Sequence, residues 1–182
     1  GYRATMPALH YPMQYVASQG AHCFTVDFAY DSDPDFARAG PQERLDRITA
    51  DGGAVFDALF VHRRFGKVTV IGKSLGTLAM IQQLPDRPEL ASANAVWLTP
   101  PLHDLEFVDL LLRCPQPSLV VIGSADDGYD AVQVGRVQQA GKRVVVLPGV
   151  GHALDVKGDV PASIEALRHM MDAVIDFLSA GA

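Results

Sequence analysis

The chain has 182 residues, 48% of them hydrophobic and 20% charged. That length and balance suit one globular domain able to bury a sizeable core without a disulfide or metal staple. A formal net charge of −6, with no lysine/arginine run longer than Arg63-Arg64, argues against a nucleic acid or an anionic membrane surface as partner, and no apolar stretch is long enough for a membrane span.

The chain opens Gly1-Tyr2-Arg3, without an initiator methionine and in what reads as a loop, the start expected of a trimmed or processed chain. Residues 22–28, with Cys23, Phe24, Val26 and Phe28, form a β-rich apolar run that predicts a strand and a buried free thiol at Cys23. Asp31, Asp33, Pro34 and Asp35 read as a loop whose aspartates serve its solvation. From about 41 to 64, Leu45, Ile48, Val55, Ala58 and Leu59 recur at helical spacing, although Gly52-Gly53 weakens the middle. Residues 67–71 predict a buried strand that runs straight into Gly72, and a helix over about 75–84 follows until Pro85 ends it.

Beyond it the pattern keeps alternating. Strands are expected at 95–98, 118–122 and 143–147, with helices at 105–112 and 131–140 between them. A final amphipathic helix is expected over about 161–178, with Ile164, Leu167, Met171 and Val174 on its apolar face. Strands of continuous Val, Ile and Leu are those buried on both faces of a parallel sheet. Alternated with helices, they predict the α/β class: a doubly wound, mostly parallel sheet with helices on both faces.

Gly72-Lys73-Ser74-Leu75-Gly76 fits the pattern G-x-S-x-G where a buried strand meets a helix. A turn this tight forces the serine into a strained conformation, and small residues two before and two after it let strand and helix approach. Ser74 Oγ is thereby held out at the carboxyl end of the sheet, with the Leu75 N–H aimed at any oxyanion formed beside it. The plainer reading is a serine that caps a helix. A phosphate-binding loop is excluded: its pattern needs glycine at 67, which is lysine here.

A nucleophilic serine needs a base within hydrogen-bond reach and a group that orients the base. The turn after the 118–122 strand carries Gly123, Asp126, Asp127 and Asp130, and the turn after the 143–147 strand ends Gly149-Val150-Gly151-His152. His152 is the expected base, since the other histidines lie before the serine (His10, His22, His62), in the short helical insertion (His103) or on the last helix (His169). Asp126, close to the strand end, is preferred to Asp127 as the acid, with Asp130 further behind.

These three sites, in the order Ser, Asp, His, resemble the α/β-hydrolase superfamily, and among its members the small, cap-less, dienelactone-hydrolase-like ones. The resemblance covers nearly the whole chain. It implies one minimal α/β-hydrolase domain over 1–182 with a short helical insertion at about 100–117. It also implies a Ser74–Asp126–His152 triad, an acyl-enzyme intermediate, a small-molecule acyl substrate and no cofactor. The family's second oxyanion donor comes from a loop after an early strand; Gly1-Tyr2 looks like the tail of that loop, which makes the Tyr2 N–H the donor and leaves the strand before it outside the sequence. The activity so implied is hydrolysis of a carboxylic ester or thioester. The alternatives are acyl transfer to another acceptor, or a non-catalytic binding or interaction module on the same fold. The histidines are scattered without metal-ligand spacing, and two isolated cysteines suit a reducing, cytoplasmic compartment. Composition and motifs leave the oligomeric state open.

Overall fold

Four short apolar runs make the sheet in the computed structural model, which describes residues 2–180. β1 (Thr69–Lys73), β2 (Asn94–Leu98), β3 (Ser118–Gly123) and β4 (Arg143–Leu147) are parallel and lie in sequence order, each paired with the next. Every residue of β2 and β3 is buried, which is why both run apolar without alternation after their first residues, Asn94 and Ser118.

The pleat sends successive side chains to opposite faces. Trp97, Val120 and Ile122 meet α4 (Leu75–Ile81), α5 (Leu105–Arg113) and α6 (Ala131–Gln139), the helices that connect the strands. Val96, Leu98, Leu119 and Val121 meet α1 (Pro7–Ser18) and α7 (Val160–Ala180). Each fully buried Leu, Val or Ile on these faces contributes roughly 1.5–3 kcal/mol of burial, so the sheet cannot slip by one residue without turning both cores inside out. Aspartates start four of the helices: Asp33 caps α2 (Pro34–Arg38), Asp104 caps α5 and Asp130 caps α6, each accepting from two backbone N–H groups of the first turn, and Asp159 before α7 accepts from the Ala162 N–H.

α3 (Pro41–Phe60) packs on α4 through the glycine pair that weakens its sequence pattern. A Cβ built on Gly52 falls 3.3 Å from Ala79 Cβ, tighter than ordinary contact, so glycine sets how closely the two helices approach. Beside it Gln83 Nε2 donates to the Thr49 carbonyl at 3.0 Å, and Arg87 Nη2 donates to the Gly53 carbonyl at 3.1 Å.

The N-terminal quarter departs from expectation in four ways. Residues 22–28 form no strand; they run irregularly, with Phe24 and Val26 about half exposed at 50% and 42%. β propensity is realised only where a ladder partner and a covered face exist, and among the described strands β1 pairs with β2 alone. Without that strand Cys23 is exposed rather than buried. α1 is a helix where no helix is expected: Pro7 suits its first turn, Pro12 lies inside it, and Ala8 and Pro12 are buried. The aspartates at 33 and 35 do more than solvate a loop, since Asp33 caps α2 and pairs with Arg47 at 2.6 Å, while Asp35 pairs with Arg38 at 2.6 Å.

Candidate active site

Three strand ends deliver the candidate residues. Ser74 follows β1 directly, Asp126 lies three residues past the end of β3, and His152 lies five past the end of β4. Because the strands are parallel and in register, all three emerge at the same, carboxyl edge of the sheet.

Ser74 holds a backbone conformation that side-chain-bearing residues rarely adopt, φ 52° and ψ −118°. Three hydrogen bonds pin it there. Its N–H donates to the Leu98 carbonyl at the end of β2 (3.0 Å), and its carbonyl accepts from the Thr77 N–H at 2.8 Å and from Thr77 Oγ1 at 2.6 Å. Gly72 makes the turn possible, because a Cβ there would run into Met80 and the Gly76 backbone. Gly76 plays no matching steric part: a Cβ at that position meets nothing within 4 Å. Of the two small residues expected to let strand and helix approach, only Gly72 is required by the packing.

The Asp126 and His152 turns brace each other. Gly123 packs so tightly on the Val150 carbonyl that any Cβ would overlap it. Ser124 N–H donates to the Leu147 carbonyl (2.9 Å), Ala125 N–H to the Val150 carbonyl (3.0 Å), and Gly149 N–H to Ser124 Oγ (2.8 Å). Within that frame His152 Nδ1 lies 3.0 Å from both carboxylate oxygens of Asp126, and His152 Nε2 lies 2.9 Å from Ser74 Oγ. An ionised carboxylate only accepts, so Nδ1 carries the proton and Nε2 is left to accept from the serine hydroxyl.

Asp126 is buried, whereas Asp127 is exposed and Asp130 is engaged in the α6 cap. Burial pushes the Asp126 carboxyl upward. Hydrogen bonds from His152 and the Gly128 N–H (2.8 Å), with the nearby positive charge of Lys73, outweigh it and hold the group below the ordinary aspartate range. The structure therefore brings Ser74, Asp126 and His152 together and leaves Asp127 outside the contact. It also places Tyr2 here, though by its side chain: the ring covers Lys73 Nζ at 4.4 Å, and the hydroxyl accepts from the Ala8 N–H at 2.9 Å. Gly1, the other half of the expected loop tail, lies outside the described residues. Leu75 is the first residue of α4, where N–H groups have no partner within the helix.

Sequence reasoning passes over Lys73, which sits in the G-x-S-x-G pentapeptide itself. It is 5% exposed, and its Nζ donates to the His152 carbonyl at 2.7 Å and to Thr99 Oγ1 at 3.1 Å. Burial lowers its pKa to about 8, against the pull of Asp126 and Asp155, which raise it. The available signal was a lysine following the apolar Val70-Ile71-Gly72 run into the pentapeptide.

Two cavities reach Ser74. A cleft of about 320 Å³ is lined by Ser74, Leu75, Thr99, His103, Asp126 and His152. A larger cavity of about 1250 Å³ also touches Ser74 and His152, and extends along β1 between α3 and the irregular 21–29 segment. Of the two, only the smaller is lined by all three candidate side chains. Among the described residues no three His, Cys, Asp or Glu side chains converge as metal ligands, and no helix is long and apolar enough to cross a membrane.

Comparison with solved structures settles the architecture. A protein of unknown function from Agrobacterium tumefaciens, described as an α/β hydrolase, superposes with a TM-score of 0.61 at 20% identity, over 99% of this chain and 81% of that one. The chain has the α/β-hydrolase fold. Est1E from Butyrivibrio proteoclasticus, solved with ferulic acid, gives a TM-score of 0.59 at 16% identity, covering 96% of this chain and 86% of its own. The esterase domain of a Rhodothermus marinus protein gives 0.54 at 15% identity, over 92% and 80%. No protein-family model and no curated protein matches the sequence.

Proposed function

We propose that the protein is a serine hydrolase that cleaves a carboxylic ester or thioester of a small molecule through an acyl-enzyme intermediate. The observation that carries this reading is the chain of contacts from Asp126 through His152 to Ser74, at 3.0 and 2.9 Å, at the carboxyl edge of the sheet. A capping serine needs no such partners: the Ser74 side chain makes no cap bond to α4, and its Oγ is turned to the imidazole instead. The comparisons agree with the reading, since the similar folds include an esterase domain and Est1E.

In this reading the strained turn at Ser74 is the nucleophile elbow. Ser74 Oγ attacks the acyl carbon while His152 Nε2 takes its proton, and Asp126 fixes the ring and stabilises the imidazolium. The Leu75 N–H, with the Tyr2 N–H as second donor, stabilises the oxyanion of the tetrahedral intermediate. Collapse breaks the bond to the alcohol or thiol, which leaves with the proton from His152. Water, activated by the same imidazole, then releases the acid and restores the serine.

The 320 Å³ cleft lies at the lower end of the size range of small-molecule sites and is where the ester sits. A series of aryl esters of increasing acyl length tests both statements. Turnover that depends on Ser74 supports the mechanism, and the length at which kcat/KM drops measures the acyl site. Absence of Ser74-dependent turnover or acylation across the series refutes it.

A further inference from the structure

We propose that Lys73 is a positioning residue for the base: its side-chain nitrogen, bonded to the backbone carbonyl of His152, holds the imidazole over Ser74. The inference rests on the serine-hydrolase reading, because only there does the position of His152 set a rate. Lys73 ends β1, next to Ser74 in sequence; Thr99 follows β2, and His152 follows β4. One side chain therefore ties three strand ends together, through bonds of 2.7 Å to the His152 carbonyl and 3.1 Å to Thr99 Oγ1. The Tyr2 ring closes over the nitrogen at 4.4 Å. The carbonyl so held belongs to the residue whose ring must stay 2.9 Å from Ser74 Oγ, and His152 itself is half exposed, with no burial to fix it.

An apolar residue at the end of a buried strand is less costly than an ammonium, which loses hydration on burial. Packing alone therefore does not call for lysine here. A charge-assisted hydrogen bond to the carbonyl is roughly twice as strong as a neutral one, which is what a loop needs if its half-exposed ring is to stay aimed. The groups facing the ammonium are Asp126 after β3, Asp155 after β4 and the Tyr2 ring from the N-terminal segment. Both carboxylates favour the charged form, while burial draws its pKa down to about 8. The Tyr2 hydroxyl is held above the ordinary tyrosine value, chiefly by burial, so it titrates well away from the lysine.

The test compares wild type, Lys73→Met and Lys73→Gln on a short-chain 4-nitrophenyl ester from pH 6 to 10, with hydrogen–deuterium exchange over residues 148–155 of each folded protein. The expected result for Lys73→Met is a kcat about 10- to 100-fold lower with KM changed by less than about 3-fold, since an ångström of misplacement costs up to ~10²-fold. Exchange over 148–155 rises in parallel. Wild-type kcat/KM falls above a pH of about 8, where the ammonium is lost, and Lys73→Met lacks that limb. Lys73→Gln, which keeps an N–H donor, recovers part of kcat; if Lys73→Met does not fold, the glutamine variant is judged by its loss of the alkaline limb and its raised exchange. Wild-type kcat and unchanged exchange in the folded variants overturn the proposal, as does an alkaline limb that survives in them. Ser74→Ala separates the two readings: if it turns over as fast as wild type, the hydrolase assignment fails, while the exchange comparison still decides whether Lys73 holds the His152 turn.

Discussion

Asp126 presents both carboxylate oxygens to His152 Nδ1 at 3.0 Å, with its side chain only 1% exposed, while Asp127, the next residue, is open to solvent. Two adjacent aspartates of identical chemistry thus acquire different environments from one turn of backbone. The Gly128 N–H that bonds Asp126 Oδ1 at 2.8 Å fixes which of them turns inward.

That difference gives the first prediction. Asp126→Asn lowers kcat/KM by about 10²- to 10⁴-fold, because an amide neither enforces the Nδ1–H tautomer nor stabilises the imidazolium. Asp127→Asn stays within about 3-fold of wild type, as expected for an exposed side chain away from the imidazole. Ester turnover of the two variants, measured side by side, decides; a larger loss at 127 than at 126 reverses the assignment.

Gly123→Ala strikes at the frame. The added methyl would overlap the Val150 carbonyl, which belongs to the backbone and cannot swing away. Overpacking of this kind costs typically about 1–3 kcal/mol, and here it also spreads the turns that carry Asp126 and His152. The expected outcome is a lower urea midpoint together with a fall in kcat. Gly135→Ala on α6, where a Cβ meets nothing within 4 Å, is the control: it leaves kcat near wild type and does not lower the midpoint, since alanine is favoured over glycine in a helix interior by about 0.5–1 kcal/mol. Equal stability for the two variants would contradict the packing described.

The pH dependence of stability has a definite sign at each end. Asp126 has a folded pKa below its ordinary value, so its contribution is fully present above about pH 4 and is lost as pH falls through the lower folded value. Urea melts between pH 2 and 5 should show a steeper loss for wild type than for Asp126→Asn. Lys73 behaves in the opposite sense. Its folded pKa of about 8 lies below the ordinary 10.5, so the unfolded chain holds the proton longer and this group adds stability as pH rises from 8 towards 10.5. Lys73→Met should lack that increment, and a matching slope in wild type and variant would show that the ammonium is not buried.

Much of this was legible in the sequence for a physical reason. The central strands are buried on both faces, so no polar residue interrupts them, and a run such as Leu119, Val120, Val121 and Ile122 states its environment directly. Gly72, Ser74 and the turns after β3 and β4 were readable because tight turns at strand ends restrict residue type. The N-terminal quarter misled, since Phe24, Val26 and Phe28 carry β propensity that no ladder satisfies, and Pro12 masks the helix around it. Lys73 was hidden by distance: its partner carbonyl lies 79 positions away, and no local pattern announces a contact made only when β1 and β4 share a sheet.

The proposed mechanism makes Ser74 a nucleophile activated by His152. The most direct measurement is labelling with an alkyl fluorophosphonate followed by peptide mass analysis, which reports acylation-type reactivity without a known substrate. The expected result is a single adduct on Ser74 in wild type, none in Ser74→Ala, and a rate lower by about 10⁴-fold or more in His152→Ala. Labelling that persists unchanged in Ser74→Ala, or that leaves Ser74 unmodified in wild type, would contradict it.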